Sequence, residues 1–412
     1  MLTYCFIFGR NPILSLAEIF NREAPVGAHF QIAELTSQSL VIRTDAPFDP
    51  DAWQRTLGGS IKIGQVIQEF ADLSSVRQAL TKKNLLERYF GQKNKKIVFG
   101  FSCYGDLFRH YQTEFNGRGL ELKKDLQASG YRSRFVAAQD GVLSSVQVVK
   151  NKLIETGGDI LIIKGLNAFY LGKTVTVQDF EDYSARDYGR PRRDARSGLL
   201  PPKLAKEMIN FSKATPEQTL LDPFCGSGTV LQEAALMGFR HLVGSDISAK
   251  AIEDTKKNLN WLEKNYHVTP AVRLHHSDVK KLEDKISPHS IDAIVTEPYL
   301  GPTINRNISV INMLAITQEL ESLYLAAFRV FTRFLKPDKQ VVIIFPLFKT
   351  KNGIYTLKIL EQLEKMGFRR QNPIPEKVSL FAKIGPTARG SLMYSRPDQK
   401  VEREIFIFQY KK

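Results

Sequence analysis

Four acidic residues close four apolar runs in the second half of the chain. Asp222 follows Leu220-Leu221, Asp246 ends His241–Ser245, Asp278 lies just past Val272–His276, and Glu297 follows Ile291–Thr296. Short apolar runs of this kind predict buried strands, so the acids converge on the carboxyl edge of a sheet. Between the first two acids lies Asp222-Pro223-Phe224-Cys225-Gly226-Ser227-Gly228-Thr229. Glycines on either side of Ser227 permit a tight turn and let backbone approach a ligand where any Cβ would obstruct it. The helix predicted from Thr229 to Met237 aims its unpaired N–H groups at the same spot. This is a cradle for a nucleotide-like cofactor. A phosphate-binding loop does not fit, because no Lys-Ser or Lys-Thr follows the second glycine, and the three-glycine dinucleotide spacing is missing too. Asp246, roughly twenty residues on, falls where a ribose diol is held in such folds.

These residues need a large scaffold. At 412 residues the chain is too long for one ordinary core and predicts two or three domains. Hydrophobic content of 43% with 25% charge is that of a soluble globular protein. No apolar run approaches the ~20 residues that span a bilayer. The opening Met1-Leu2-Thr3-Tyr4 reads as no signal peptide. Cys5, Cys103 and Cys225 stand in unrelated contexts and form neither a disulfide framework nor a zinc site, so no metal is expected and a reducing cytoplasm fits. The net charge of +15 favours a polyanion as partner through counterion release and steering.

Residues 1–95 read as a ferredoxin-like β-α-β-β-α-β domain: strand Thr3–Phe8, helix Leu14–Phe20, strands Phe30–Leu35 and Ser39–Arg43, helix Asp51–Leu57 and strand Lys62–Phe70. The basic patch Lys93–Lys96 separates it from a second α/β module over 96–180. That module has strand Ile97–Ser102, helix Leu120–Ser129, strand Ser133–Val136, helix Leu143–Glu155, and strands Asp159–Gly165 and Phe169–Val177. Residues 181–202 are rich in Arg, Gly and Pro. They read either as a charged linker or as a segment that folds back over the cofactor. From 203 to 412 strand and helix alternate as in a doubly wound open sheet, opening with helix Lys203–Phe211. Helix Ala249–Lys264, helix Met313–Leu335, strand Gln340–Phe345 and helix Ile354–Met366 follow, and strands Lys377–Phe381 and Arg403–Phe408 close an edge.

The Asp-Pro-Phe-x-Gly-Ser-Gly-Thr form at Asp222–Thr229 resembles Rossmann-type methyltransferases that use S-adenosylmethionine to methylate exocyclic amines. The resemblance runs from Arg196 to the C-terminus and implies a role for each matched residue. Asp222 and the Gly226–Gly228 backbone would hold the methionine end, with Phe224 and Thr229 among the further cofactor contacts. Asp246, with Ile247 beside it, would take the ribose hydroxyls and Asp278 the adenine amine, while Arg196, Gly198 and Leu199 would lie in the stretch that wraps the cofactor. Phe8-Gly9-Arg10-Asn11-Pro12, a module of THUMP type, and Asp187–Asp194 extend the likeness across nearly the whole chain. The chain thus resembles the THUMP-containing tRNA guanosine N2-methyltransferases acting at position ten. The implied fold is α/β, a Rossmann-type methyltransferase sheet behind a ferredoxin-like/THUMP RNA-binding region. The implied partner is tRNA, with a small activating protein subunit as a further one.

The chemistry explains the strand-end motif. An exocyclic base amine is a poor nucleophile, because its lone pair is delocalised into the ring. A side-chain oxygen and a rigidly held proline carbonyl that accept its two N–H bonds localise that lone pair toward the methyl group, and an aromatic ring stacks on the base. The family pattern is Asp or Asn, two prolines, then an aromatic, whereas this chain has Glu297-Pro298-Tyr299-Leu300. Glu297 reaches one methylene further, and Tyr299 occupies the second-proline position. Glu297, Pro298 and Tyr299 are therefore the expected catalytic residues. Ribosomal RNA guanine, another nucleobase amine, or RNA binding with a retained but unused cofactor stay open as alternatives. Cys225, inside the loop, is expected to be a small packing residue rather than a nucleophile.

Overall fold

The structure, a computed structural model, describes residues 1–22, 30–45, 49–90, 96–105, 108–193, 200–305, 307–375, 378, 385–395 and 401–412. The chain divides into two compact units, Met1–Pro12 with Ala24–Asp182, and Ile13–Glu23 with Tyr183–Lys412.

The first unit is built on eight strands: β1 Leu2–Phe8, β2 Phe30–Leu35, β3 Ser39–Thr44, β4 Ser60–Phe70, β5 Lys96–Tyr104, β6 Arg132–Val136, β7 Gly157–Lys164 and β8 Phe169–Val177. They form one sheet in the order β2-β3-β1-β4-β8-β7-β5-β6. The boundary expected at 95/96 therefore runs through a continuous sheet, because β4 pairs antiparallel with β8 from Lys62↔Val177 to Phe70↔Phe169. A buried polar cluster bridges the same boundary. Lys62 Nζ donates to Asp159 Oδ2 at 2.6 Å, while Ser102 and Thr174 hydroxyls donate to the same carboxylate at 2.5 and 2.7 Å. With Lys62 and Asp159 fully buried, removing either partner strands a charge at a cost of about 3–5 kcal/mol.

Two expectations in this half are corrected. The helix expected over Leu143–Glu155 is two short helices, Ser145–Lys150 and Leu153–Thr156, because Lys152 adopts φ 52° and breaks the turn. The helix Pro12–Asn21 clusters, from Ile13 on, with the second unit. There Asn210 Nδ2 donates to Glu18 Oε1 at 2.7 Å and Asn21 Nδ2 to the Pro373 carbonyl at 2.6 Å.

The second unit carries β9 Thr219–Asp222, β10 His241–Asp246, β11 Ala271–His276, β12 Ile291–Thr296, β13 Leu335–Thr350, β14 Gly353–Thr356, β15 Phe368–Arg370, β16 Leu392–Tyr394 and β17 Val401–Tyr410. The order is β11-β10-β9-β12-β13-β17-β15, with β11 to β13 parallel and β17 antiparallel to both neighbours. The chain order reverses between β9 and β12, the switch point at which such sheets bind ligands. Helix Val310–Phe334 buries Met313, Leu320, Tyr324, Phe328, Phe331 and Phe334 at helical spacing. Phe328 meets Phe368 and Phe408 edge-on, with ring centroids 4.8 and 5.4 Å apart. The helix expected at Ile354–Met366 begins only at Leu360. Asn352-Gly353, with Gly353 at φ 124°, instead closes a hairpin in which Thr350 pairs with Gly353 and Leu347 with Thr356. The strand expected over Lys377–Phe381 falls outside the described residues except at Val378, as do Arg196, Gly198 and Leu199.

Candidate active site

A cavity of about 330 Å³ opens at the carboxyl ends of β9, β10 and β12. Asp222, Phe224, Gly226, Thr229, Asp246, Ile247, Glu297, Pro298 and Tyr299 all line it. Asp278 does not: it follows β11 and caps the 3₁₀ turn after it, accepting from the Lys280 N–H at 3.0 Å. A more open depression of about 540 Å³, lined by residues that include Glu364, Arg369 and Arg370, contains none of the strand-end acids.

The loop is held by its own backbone and by its neighbours. Gly226 and Gly228 sit at φ 52° and 83°, the left-handed region that glycine alone enters freely. A Cβ on Gly228 would lie 2.8 Å from Thr255 Cγ2, whereas one on Gly226 would meet no protein atom and stand in open space at the cavity wall. Thr255 Oγ1 donates to the Gly226 carbonyl at 2.7 Å. Asn258 Nδ2 donates to the carbonyls of Ser227 at 2.8 Å and Arg192 at 2.9 Å, and its Oδ1 accepts from the Arg192 N–H at 2.9 Å. The chain ahead of β9 is thereby tied to the glycine loop. That part of the Arg-rich stretch is no loose tether: Arg186, only 2% exposed, donates to Glu233 at 2.6 Å.

Asp246 Oδ2 accepts from the Gly226 N–H at 3.0 Å and Oδ1 from the Ser248 N–H at 2.8 Å. Both bonds anchor the carboxylate above the loop. Ile247, 69% exposed, forms an apolar rim beside it. Asp222 Oδ1 accepts from Thr296 Oγ1 at 2.6 Å and the Phe224 N–H at 3.2 Å. Burial pushes its carboxyl up to about 7, and the charges of Asp246 and Glu297 push the same way, against those two hydrogen bonds. A cationic group placed beside it relieves that penalty. Cys225 is buried and its thiol is held well above the ordinary range, so it packs, as expected, and does not ionise.

Glu297 is held by a residue that local sequence gives no reason to single out. Arg403, on β17, donates through Nε to Glu297 Oε1 at 2.5 Å across 106 positions of chain. Burial raises the Glu297 carboxyl and Arg403 pulls it back. The turn after it is pinned by Tyr324, whose hydroxyl lies 3.2 Å from the Tyr299 carbonyl and 3.3 Å from that of Ile344. The Tyr299 ring is 56% exposed at the mouth, and Leu300 is half-buried. The arrangement offers a carboxylic acceptor, a proline carbonyl and an exposed aromatic residue beside the glycine loop. Among the described residues no group of His, Cys, Asp and Glu could hold a metal ion. None of the described helices is long and apolar enough to cross a membrane.

Residues 190–366 match the model of a family described as RMKL-like, methyltransferase domain. A tRNA (guanine(10)-N2)-dimethyltransferase of Methanocaldococcus jannaschii is 31% identical over 189 residues, which are 45% of this chain and 52% of that protein. One from Methanothermobacter thermautotrophicus is 38% identical over 136 residues, 32% of this chain and 37% of the relative. The chain thus spans about half the length of the first of these relatives, and less of the second. The crystal structure of TrmN from Thermus thermophilus superposes with a TM-score of 0.55 at 14% identity, covering 100% of both chains, which is a likeness of fold.

Proposed function

With an RMKL-like methyltransferase domain over residues 190–366, we propose that the chain methylates the exocyclic N2 amine of a guanosine in tRNA, position ten favoured, using S-adenosylmethionine. The observation that carries this reading is the shared cavity. The glycine loop and its two anchored aspartates meet Glu297-Pro298-Tyr299 there. The relatives named for guanine-N2 dimethylation in tRNA support the same substrate. The net charge of +15 suits an RNA, and the three buried free cysteines suit a cytoplasmic enzyme.

The residues present fit the cofactor. Gly226 leaves open space where a side chain would stand, and Asp222, raised by burial and short of a cation, suits an ammonium group. Asp246 would take the ribose diol, while Asp278, away from the cavity lining, is the weaker match for the adenine amine. The cofactor supplies an electrophilic methyl group on a sulfonium.

Activation of the acceptor falls to this chain. Glu297, positioned by Arg403, and the Pro298 carbonyl accept the two N–H bonds of the amine, which frees its lone pair for in-line attack. When bound, the cofactor would supply the methyl group and leave as a neutral thioether, so the one proton this chain must place is the amine's. The surplus amine proton then leaves through the hydrogen bond to Glu297. Tyr299, exposed at the mouth, stacks on the extruded base. The Arg403 guanidinium, bonded to the Glu297 carboxylate, supports this role for the longer side chain by holding its end in one place.

Incubating the full chain with tRNA and labelled S-adenosylmethionine, followed by mass spectrometry of the nucleosides, tests the proposal. N2-methylguanosine or its dimethyl form is expected. Methyladenosine or methylcytosine as the only product would overturn the target.

A further inference from the structure

Arg190 is 4% exposed, yet two of its guanidinium nitrogens find no acceptor among the described residues. Nη1 donates to Thr229 Oγ1 at 2.7 Å, while Nε and Nη2 are buried with no hydrogen-bond partner among the described residues. The acids nearest in charge are Asp187 and Glu233, with Arg193 opposing them, and Glu233 already serves Arg186 and Lys206. A buried guanidinium left this way costs several kcal/mol unless an anion completes it. Arg190 is not itself in the cavity lining, but Thr229, its side-chain partner among the described residues, lines the cavity and opens the helix Thr229–Leu236. Gly228 caps that helix without a side-chain hydrogen bond, so its first N–H groups have no side-chain acceptor. Because Thr229 Oγ1 accepts from Arg190, its own hydroxyl hydrogen is left to point elsewhere, and no described residue accepts it.

We propose that Arg190, through Thr229 and the N-terminus of helix Thr229–Leu236, binds the carboxylate of the cofactor's amino-acid end. The inference rests on reading the cavity as a site for S-adenosylmethionine. It gives that zwitterion two complementary poles: Asp222 faces the ammonium, and the Arg190–Thr229 pair with the helix N-terminus faces the carboxylate. The sequence suggests Thr229 through its motif, but Arg190 stands in a run of arginines in which nothing local distinguishes it.

Two probes separate the poles from the rest of the cavity. S-adenosylhomocysteine carries the carboxylate, whereas 5′-methylthioadenosine shares the nucleoside and sulfur but lacks the amino-acid end. Titration calorimetry on the full chain should show R190M losing roughly ten- to a hundredfold in affinity for S-adenosylhomocysteine, the range of a charge-assisted hydrogen bond. Affinity for 5′-methylthioadenosine should stay unchanged, and R190K should recover part of the loss. T229V should show the same selective loss to a smaller degree, and it carries the test if R190M does not fold. An equal loss for both ligands would reduce Arg190 to a general support behind the cavity and overturn the proposal. Unchanged S-adenosylhomocysteine binding with weakened tRNA binding would overturn it too, assigning the guanidinium to an RNA phosphate. Failure of the unmodified chain to bind either ligand would instead sink the reading of the cavity itself.

Discussion

At the scale of single residues, the Glu297–Arg403 pair fixes what the longer acid can do. Burial favours the neutral carboxyl and the guanidinium favours the ionised one, so the two effects oppose each other on the group proposed to accept an amine proton. Replacing Glu297 by Ala should abolish transfer and largely spare cofactor affinity, because in the proposed site the cofactor is held by the glycine loop and its aspartates. Arg403→Met removes the effect that lowers the carboxyl and leaves the one that raises it. An acid needed in its ionised form loses activity as pH falls through its pKa, so the acid limb of kcat/KM should move to higher pH in R403M and activity should return as pH rises. A pH profile of methyl transfer to tRNA checks this. A loss of the same size at every pH would mean that Arg403 only supports the loop.

At the scale of elements, the glycine loop is a turn whose two glycines do different jobs, and substitution separates them. Gly228→Ala forces a left-handed conformation worth about 1–2 kcal/mol and pushes its Cβ against Thr255, whose hydroxyl holds the Gly226 carbonyl. Its main effect should be lost stability, about 1–3 kcal/mol by denaturant titration. Gly226→Ala meets no protein atom and should unfold less readily, yet its methyl stands at the cavity wall, so cofactor affinity should suffer most there. If G226A bound S-adenosylhomocysteine as well as the unmodified chain, that face of the loop would not be the cofactor's. This turn was legible in the sequence because its constraint is local: positive φ demands glycine, and buried parallel strands read as unbroken apolar runs. The β13–β14 hairpin was less so, since Ile359, Leu360 and Leu363 suggest a helical face that Asn352-Gly353 interrupts upstream. Arg403 could not be found at all, and Arg190 lay unmarked inside the Asp187–Asp194 segment, because what distinguishes each is a partner brought near by topology.

At the scale of the whole molecule, what composition can decide is the long-range field. A net charge of +15 acts over a Debye length of about 10 Å at 0.1 M salt, too far to select a base and far enough to gather a polyanion. The cavity has the opposite range: its anchored aspartates, the Glu297–Arg403 pair and the Tyr299 ring act over single hydrogen bonds or stacking contacts, which salt barely screens. The two contributions should therefore separate in one experiment. As salt rises from about 50 to 200 mM, kcat/KM for tRNA should fall at least tenfold, with a log–log slope set by the phosphates neutralised at roughly 0.7–0.9 each. Over the same range the affinity for S-adenosylhomocysteine, which carries no net charge, should change by less than twofold, and kcat at saturating tRNA should hold steady. A kcat/KM indifferent to salt would mean that the basic surface does not recruit the RNA, leaving shape and base contacts to account for binding. A kcat that fell in parallel would place the salt-sensitive contacts in the transfer step itself, next to the extruded base.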